Sequence, residues 1–100
     1  MILKKITNDP KQEINYILST GENIKIILEY KIRLFTWFCT IEYKNFKHTS
    51  FRLVLGENLL NQFSNILPFK LKSGTNTKFR AFMLDDFTNG NNYLEIIENV

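Results

Sequence analysis

The feature that most constrains the fold is an alternation of apolar and polar side chains that recurs in separate segments. Every second side chain is apolar in two of them, at Ile24, Ile26, Leu28 and Tyr30, and again at Phe35, Trp37, Cys39, Ile41 and Tyr43. Successive side chains of a strand point to opposite faces, so a period of two indicates half-buried β-strands. We therefore expect an all-β fold with one face of each strand on a common core.

Four antiparallel strands are predicted across roughly residues 12–55. The first two form a hairpin, because the intervening residues 19–23 supply Gly21 for a positive φ and small polar side chains for a turn. The aromatic strand 35–43 follows, with Thr36, Phe38, Thr40 and Glu42 on its polar face. After a turn at residues 44–45, the fourth strand includes residues 50–55, where Phe51, Leu53 and Leu55 share one face.

The second half of the chain predicts one short helix and further strands. Residues 57–64 carry Leu59, Leu60 and Phe63 at the spacing of one apolar helical face, with an acid in the first turn. Pro68 then returns the chain to extended structure at residues 69–72. We expect a turn at residues 73–76, a strand at 78–84, a long loop at 85–92 and a last strand at 93–97.

These elements predict a small antiparallel barrel or sandwich with one short helix near residues 57–64. One hundred residues, 44% of them apolar, suffice for a single domain spanning residues 1–100, but not for two cores. Any sheet edge that stays open is a place where a neighbouring subunit can pair.

Few residues offer chemistry. A single cysteine, Cys39, and a single histidine, His48, exclude a disulfide scaffold and a structural zinc site, and they suit a reducing interior. Cys39 lies on an apolar strand face, where cysteine is usually a small hydrophobic residue. The apolar run at residues 1–6 is too short for a signal peptide, and no stretch approaches the roughly 18 to 20 apolar residues of a membrane span.

Asp85 and Asp86 do not suit acid–base catalysis, because neighbours on a strand point in opposite directions. In a loop they and the nearby asparagines offer oxygen ligands for Ca²⁺, but the spacing is not that of an EF-hand, so an Asx-rich turn is favoured. The four glycines stand alone and form no phosphate-binding loop. We expect neither catalysis nor a metal or cofactor.

The net charge of +3 is mild, but the charges are unevenly distributed along the chain. A basic run without acids contains Lys70, Lys72, Lys78 and Arg80. An acidic segment without bases follows, containing Asp85, Asp86, Glu95 and Glu98. Such separation can steer a partner or orient neighbouring subunits, which makes Lys70, Lys72, Lys78, Arg80, Asp85 and Asp86 a candidate interface. The alternative is that both segments simply face water.

Single-stranded nucleic acid is the alternative partner. Phe38 lies on the polar face of its strand, with Lys44, Lys47 and Arg52 near it in sequence, and aromatic side chains flanked by cations are typical of small barrels that bind single strands. The aromatic stripe on the opposite face is better explained as core. We therefore expect that nucleic acid is not the partner.

The order of features along residues 12–97 resembles the phage baseplate plug protein family, of the cyanophage type, which are small β proteins of contractile-tail baseplates. The matching segments are Phe35-Thr36-Trp37-Phe38, then Phe51-Arg52-Leu53-Val54-Leu55-Gly56-Glu57-Asn58-Leu59-Leu60, then Leu67-Pro68-Phe69, then Leu84-Asp85-Asp86-Phe87, then Tyr93-Leu94-Glu95.

The resemblance implies a non-enzymatic virion protein, made in the host cytoplasm, that closes the tail tube near the hub and spike. Its partners would be the hub, spike and tail-tube proteins. The resemblance also allows further copies of the chain in a homo-oligomer. Trp37, Leu59 and Leu60 would be core residues, joined by Phe69, and Asp85 and Asp86 would belong to a shared loop. The resemblance implies no catalytic residue.

Overall fold

The computed structural model describes Leu3, Ile6, Thr7 and residues 9–34, 36–75, 87–88 and 92–98. These residues contain six β-strands and one short 3-10 helix. The strands are β1 (Lys11–Ile17), β2 (Asn23–Lys31), β3 (Thr36–Tyr43), β4 (Phe46–Arg52), β5 (Phe69–Thr75) and β6 (Asn92–Glu98), and the helix is Asn61–Phe63, between β4 and β5.

The strands form two antiparallel sheets. The first is a meander in the order β1-β2-β3-β4, and the second pairs β5 with β6. The chain after β4 runs beside β5, where Gly56 bridges Ser73, and the amide of Leu3 donates to the carbonyl of Leu94 in β6 at 2.9 Å. Buried side chains of both sheets form one shared core, so the predicted all-β class is confirmed, as a sandwich and not a closed barrel.

The alternating segments of the sequence supply this core. Ile24, Ile26 and Leu28 of β2 are fully buried, as are Trp37, Cys39 and Ile41 of β3. The two sheets meet at Tyr43 and Phe69, whose rings lie edge to face at 5.5 Å. Alternation thus selects the face that each strand turns toward the other sheet.

The predicted hairpin between β1 and β2 is confirmed. The Leu18 amide donates to the Glu22 carbonyl at 2.8 Å, and the Gly21 amide donates to the Leu18 carbonyl at 2.8 Å. Gly21 has a φ of +91°, a conformation that glycine adopts without steric cost. The turn between β3 and β4 is made in the same left-handed region by Lys44, with a φ of +51°.

The turn predicted at residues 73–76 is wrong in its first three positions. Ser73, Gly74 and Thr75 continue β5 and pair with Leu94, Tyr93 and Asn92 of β6. Pairing with a strand distant in sequence therefore overrides the local turn signal of Ser-Gly-Thr. Asn76 and the predicted strand 78–84 lie outside the described residues, and the predicted 85–92 loop is described only at residues 87–88 and at Asn92, which begins β6.

The predicted short helix exists as a single 3-10 turn. Before it, the side-chain oxygen of Asn58 accepts the amide of Leu60 at 3.0 Å and the amide of Leu71 in β5 at 3.3 Å. Asn58 therefore links the start of the 3-10 turn to β5, because its side-chain oxygen accepts one backbone amide from each. Side-chain bonds of this kind to nearby backbone groups compete with the backbone bonds of a longer helix.

Thr36 is a second departure from the predicted pattern. It was expected on the polar face of β3, yet only 3% of its surface is exposed. Lys31 lies directly opposite it in β2, and Phe38 follows on the same face. These two long side chains flank the small threonine and meet each other, since the Lys31 ammonium lies 4.4 Å from the centre of the Phe38 ring.

Candidate functional site

The structure places two of the predicted interface residues on the outer face of β5. Lys70 is exposed and lies opposite Ile97, and Lys72 lies opposite Glu95, with its ammonium 3.6 Å from the Glu57 carboxylate. Strand pairing thus brings this part of the basic run and the acidic segment onto one face. Lys78, Arg80, Asp85 and Asp86 lie outside the described residues.

The candidate core residues lie between the sheets or at their margin. Trp37, Leu60 and Phe69 are fully buried, and Leu59 is half-buried against the core. The Trp37 ring contacts Tyr30 at 5.5 Å and Phe87 at 5.7 Å between ring centres, both edge to face. These contacts join β2, β3 and the chain before β6.

Cys39 and His48 both pack against other side chains and form no reactive pair. Cys39 is fully buried, and burial raises the pKa of its thiol far above the usual range, so the sulfur stays protonated and is a poor nucleophile. His48 stacks on Phe51 at 4.7 Å and meets the edge of Phe63 at 5.0 Å. No group of three or more His, Cys, Asp or Glu side chains among the described residues is placed to hold a metal ion.

The outer face of the four-stranded sheet carries charges of both signs around one aromatic ring. The ring is Phe38, half-buried, and the charged side chains are Lys11, Lys25, Lys31, Lys47, Arg52, Glu13, Glu29 and Glu42. Lys11, Lys47, Phe38 and Thr40 line a shallow groove of about 270 Å³ together with Glu29. This surface carries Phe38, Lys47 and Arg52, three of the residues from which the sequence analysis considered binding of single-stranded nucleic acid.

Several of these charges neutralise one another. The Lys25 ammonium lies 3.3 Å from the Glu13 carboxylate and 3.8 Å from that of Glu42, and Lys31 lies 4.0 Å from Glu29. Within the described part of the chain, Lys11, Lys47 and Arg52 have no such ion pair. The surface therefore offers a mild cationic excess interrupted by carboxylates, which repel phosphate.

A polar cluster closes one end of the same sheet. The Tyr43 hydroxyl donates to the Glu22 carboxylate at 2.8 Å, the Lys44 ammonium forms an ion pair with it, and the Thr20 hydroxyl donates to it at 3.1 Å. The hydrogen bonds from Lys44 and Tyr43 lower the pKa of Glu22. Burial and the bond to Glu22 raise the pKa of Tyr43, and the bond to Glu22 raises that of Lys44. The cluster ties the two turns together.

Beside this cluster lies a shallow hollow of about 440 Å³. Its lining includes Phe46, Pro68 and Ile66, and two thirds of the Ile66 surface is exposed. The hollow is mainly apolar and open to solvent.

Among the described strands, β1 is at the edge of its sheet and pairs only with β2, which alternation alone did not reveal. The Pro10 carbonyl accepts the Tyr30 amide at 2.6 Å, and the Leu18 amide reaches Glu22, so the even-numbered residues of β1 direct their backbone groups toward β2. Glu13, Asn15 and Ile17 therefore direct their amides and carbonyls outward. The outward amide of Lys11 is taken by the Asp9 carboxylate at 3.1 Å.

The opposite edge, β4, is irregular. Its register against β3 shifts between Cys39 and Ile41, and Ser50 has a φ of +51°. The Ser50 amide is held by the Thr40 hydroxyl at 2.9 Å. Such bulges are a common protection against pairing with another chain, so β1 is the regular edge of this sheet.

Comparison with known proteins does not assign the chain. No protein-family model matches its sequence, and no curated protein matches it. Among the described residues, no helix has the length and apolar character needed to cross a membrane.

Proposed function

We propose that this protein is a non-enzymatic structural subunit, the baseplate plug of a contractile-tailed phage or phage-like particle, closing the tail tube near the hub and spike. The observation that carries the structural role is the regular edge of β1, where Glu13, Asn15 and Ile17 direct outward backbone groups that no described strand pairs with. The order of motifs between residues 12 and 97 supports the particular assignment to a plug.

A sandwich of this kind suits a subunit that must be held and later displaced. Its core is independent of any partner, because Trp37, Leu60 and Phe69 are buried within the single chain. Its outer faces mix cations and carboxylates, as on the sheet that carries Phe38. Interfaces built on polar surfaces and strand edges are specific without the large apolar area of permanent assemblies.

The first test is quantitative mass spectrometry of purified tail particles from the source, counting this chain against the tail-tube subunit. We expect a few copies per particle. Complete absence from intact tails would overturn the plug assignment.

The second test concerns the predicted interface. Reversing the basic run with K70E/K72E, and then adding K78E/R80E, should impair tail assembly and infectivity, because charge complementarity orients subunits. The matched control is K47E/R52E, which changes the net charge as much as K70E/K72E on the other sheet. Equal assembly by all variants would remove the basic run from the proposed interface.

The groove beside Phe38 is the observation that favours the second candidate, a small β module that binds single-stranded nucleic acid. Lys11 and Lys47 line this groove, and Arg52 lies opposite Phe38 in β4. Glu13, Glu29 and Glu42 share the same face and oppose a phosphate backbone, so we rank this function second.

A further inference from the structure

We infer that two copies of this chain pair through the open edge of β1, antiparallel and about a two-fold axis at Ile14. This inference does not depend on the baseplate proposal, because it concerns only the isolated chain. The binding surface is residues 11–17 of each chain, and the partner is a second copy of the chain.

The edge is suited to extension by another strand. Residues 11–17 pair with β2 in an unbroken register and contain no proline. Glu13, Asn15 and Ile17 direct both an amide and a carbonyl outward. A strand with alternate outward groups is a template for antiparallel pairing, and β1 lacks the bulge that interrupts β4.

A two-fold axis at Ile14 makes this edge complementary to itself. It sets Glu13 opposite Asn15 of the second copy, and each such pair joins two outward-pointing positions, so both backbone hydrogen bonds form. The side chains are also suited to each other, since the Asn15 amide nitrogen already lies 3.4 Å from the Glu13 carboxylate within one copy. Across the axis the same donor and acceptor meet twice.

At each end of the pairing one backbone hydrogen bond forms, from the Ile17 amide to the Lys11 carbonyl, because the Asp9 carboxylate takes the Lys11 amide. Lys11 falls opposite Ile17, which is 60% exposed in the single chain. The methylene stem of a lysine can cover such a side chain while its ammonium stays in water. On the face toward the core, Ile14 meets Ile14 of the second copy. The pairing thus covers one of the most exposed large apolar side chains in the described part of the chain.

The neighbouring registers are less favourable. Moving the axis to Glu13 sets the two Glu13 side chains directly opposite each other, and like charges at that position destabilise a pair. Moving it to Asn15 sets Glu13 opposite Ile17, so the carboxylate loses its amide partner. Of these three axes, only the one at Ile14 sets matching polar groups opposite each other, and because Ile14 is the centre of β1, it pairs all seven residues of the strand.

The test is the molar mass of the purified chain as a function of concentration, by sedimentation equilibrium. We expect a monomer–dimer equilibrium. N15E opposes two pairs of carboxylates and should raise the dimer Kd about tenfold. N15P removes one outward amide from each copy and should also raise it. Thermal unfolding of each variant shows that the chain remains folded.

A charge exchange makes the test specific for register. In E13K/N15E every pair across the axis again joins complementary groups, and the new carboxylate at position 15 also lies opposite Lys25 of β2. We expect the exchange to restore a dimer at least as tight as that of the unmodified chain.

The matched controls T49E and T49P change an exposed position on β4, the irregular edge, and should leave the dimer Kd unchanged. A chain that is monomeric up to its solubility limit would overturn the inference. So would a dimer that N15E and N15P do not weaken, or one that E13K/N15E fails to restore. Mass spectrometry of tail particles tests the baseplate proposal separately, so failure of either leaves the other standing.

Discussion

Tyr93 in β6 lays its phenol ring over Gly74, its partner in β5, and fills the space beside that glycine. A β-carbon at residue 74 would lie 2.7 Å from Cε1 of the Tyr93 ring and closer still to Cζ and the hydroxyl oxygen. An aromatic ring packed over a strand glycine stabilises the pair and compensates for the missing side chain.

This contact predicts that the effect of G74A changes sign with the residue at position 93. In the unmodified chain, G74A should lower the free energy of unfolding by about 1 kcal/mol, because the ring must leave its site. In a Y93A background the clash is gone, and G74A should raise stability by about 0.4–1 kcal/mol. Urea unfolding of the four chains measures both. Equal effects of G74A in the two backgrounds would contradict the packing described.

Glu22 predicts a pH dependence at the acid end. Its pKa is lowered below the usual 4.5, first by the hydrogen bond from Lys44 and then by that from Tyr43. A lowered pKa contributes stability that is present above 4.5 and is lost as pH falls through the folded-state value. E22Q should therefore have a lower free energy of unfolding than the unmodified chain near neutral pH. The difference between the two chains should shrink below pH 4.5.

Denaturant unfolding at a series of pH values checks this prediction. The companion variant Y43F removes one of the two main donors and should reduce the acid dependence without abolishing it. Parallel stability profiles of E22Q and the unmodified chain across the acid range would show that Glu22 is not coupled to its neighbours.

Leu59 and Leu60 form a matched pair for testing the core. They are adjacent and chemically identical, but Leu60 is fully buried and Leu59 only half-buried. L60A should cost about 2–5 kcal/mol, because it leaves a cavity that the surrounding strands cannot close. L59A should cost about 1 kcal/mol. The urea unfolding midpoints of the two variants, compared where the denaturant slope is unchanged, measure both losses of stability. Equal losses in L59A and L60A would contradict the difference in burial.

Single-stranded DNA should bind the chain weakly. With three unpaired cations on the Phe38 face of the described chain, the slope of log affinity against log salt should be about −2 or shallower. Because carboxylates interrupt the surface, we expect F38A to leave the affinity of an oligothymidine nearly unchanged in a fluorescence anisotropy titration. A loss of tenfold or more in F38A would reveal base stacking on Phe38 and favour the nucleic-acid candidate.

The sequence predicts most of the first sheet, because its signals are local. Alternation in β2 and β3 and the glycine of the first turn define the meander and its buried face. Turn signals fail at Ser73-Gly74-Thr75, because these residues pair with β6, which is distant along the chain. The burial of Thr36 is likewise not predicted from the local sequence, and its partner across the sheet is the long side chain of Lys31.

The candidate interface shows a similar limit. Two runs of opposite charge are distinct along the chain, yet strand pairing sets Lys72 opposite Glu95 on one face. The open edge of β1 is also hidden in the sequence, since alternation shows where side chains point but not which residues direct their amides outward. Which residues of β1 direct their backbone groups outward is set by the pairing with β2, through hydrogen bonds such as the one from the Tyr30 amide to the Pro10 carbonyl.

The bond between Leu3 and Leu94 also bears on the order of folding during synthesis. The four strands of the first sheet follow one another through short turns, so they can assemble soon after they leave the ribosome. The second sheet needs β6, the last described strand, and the Leu3 segment that pairs with it. Until β6 emerges, β5 and the residues before it cover only part of the apolar face of the meander, and a nascent chain halted there would depend on chaperones to avoid aggregation.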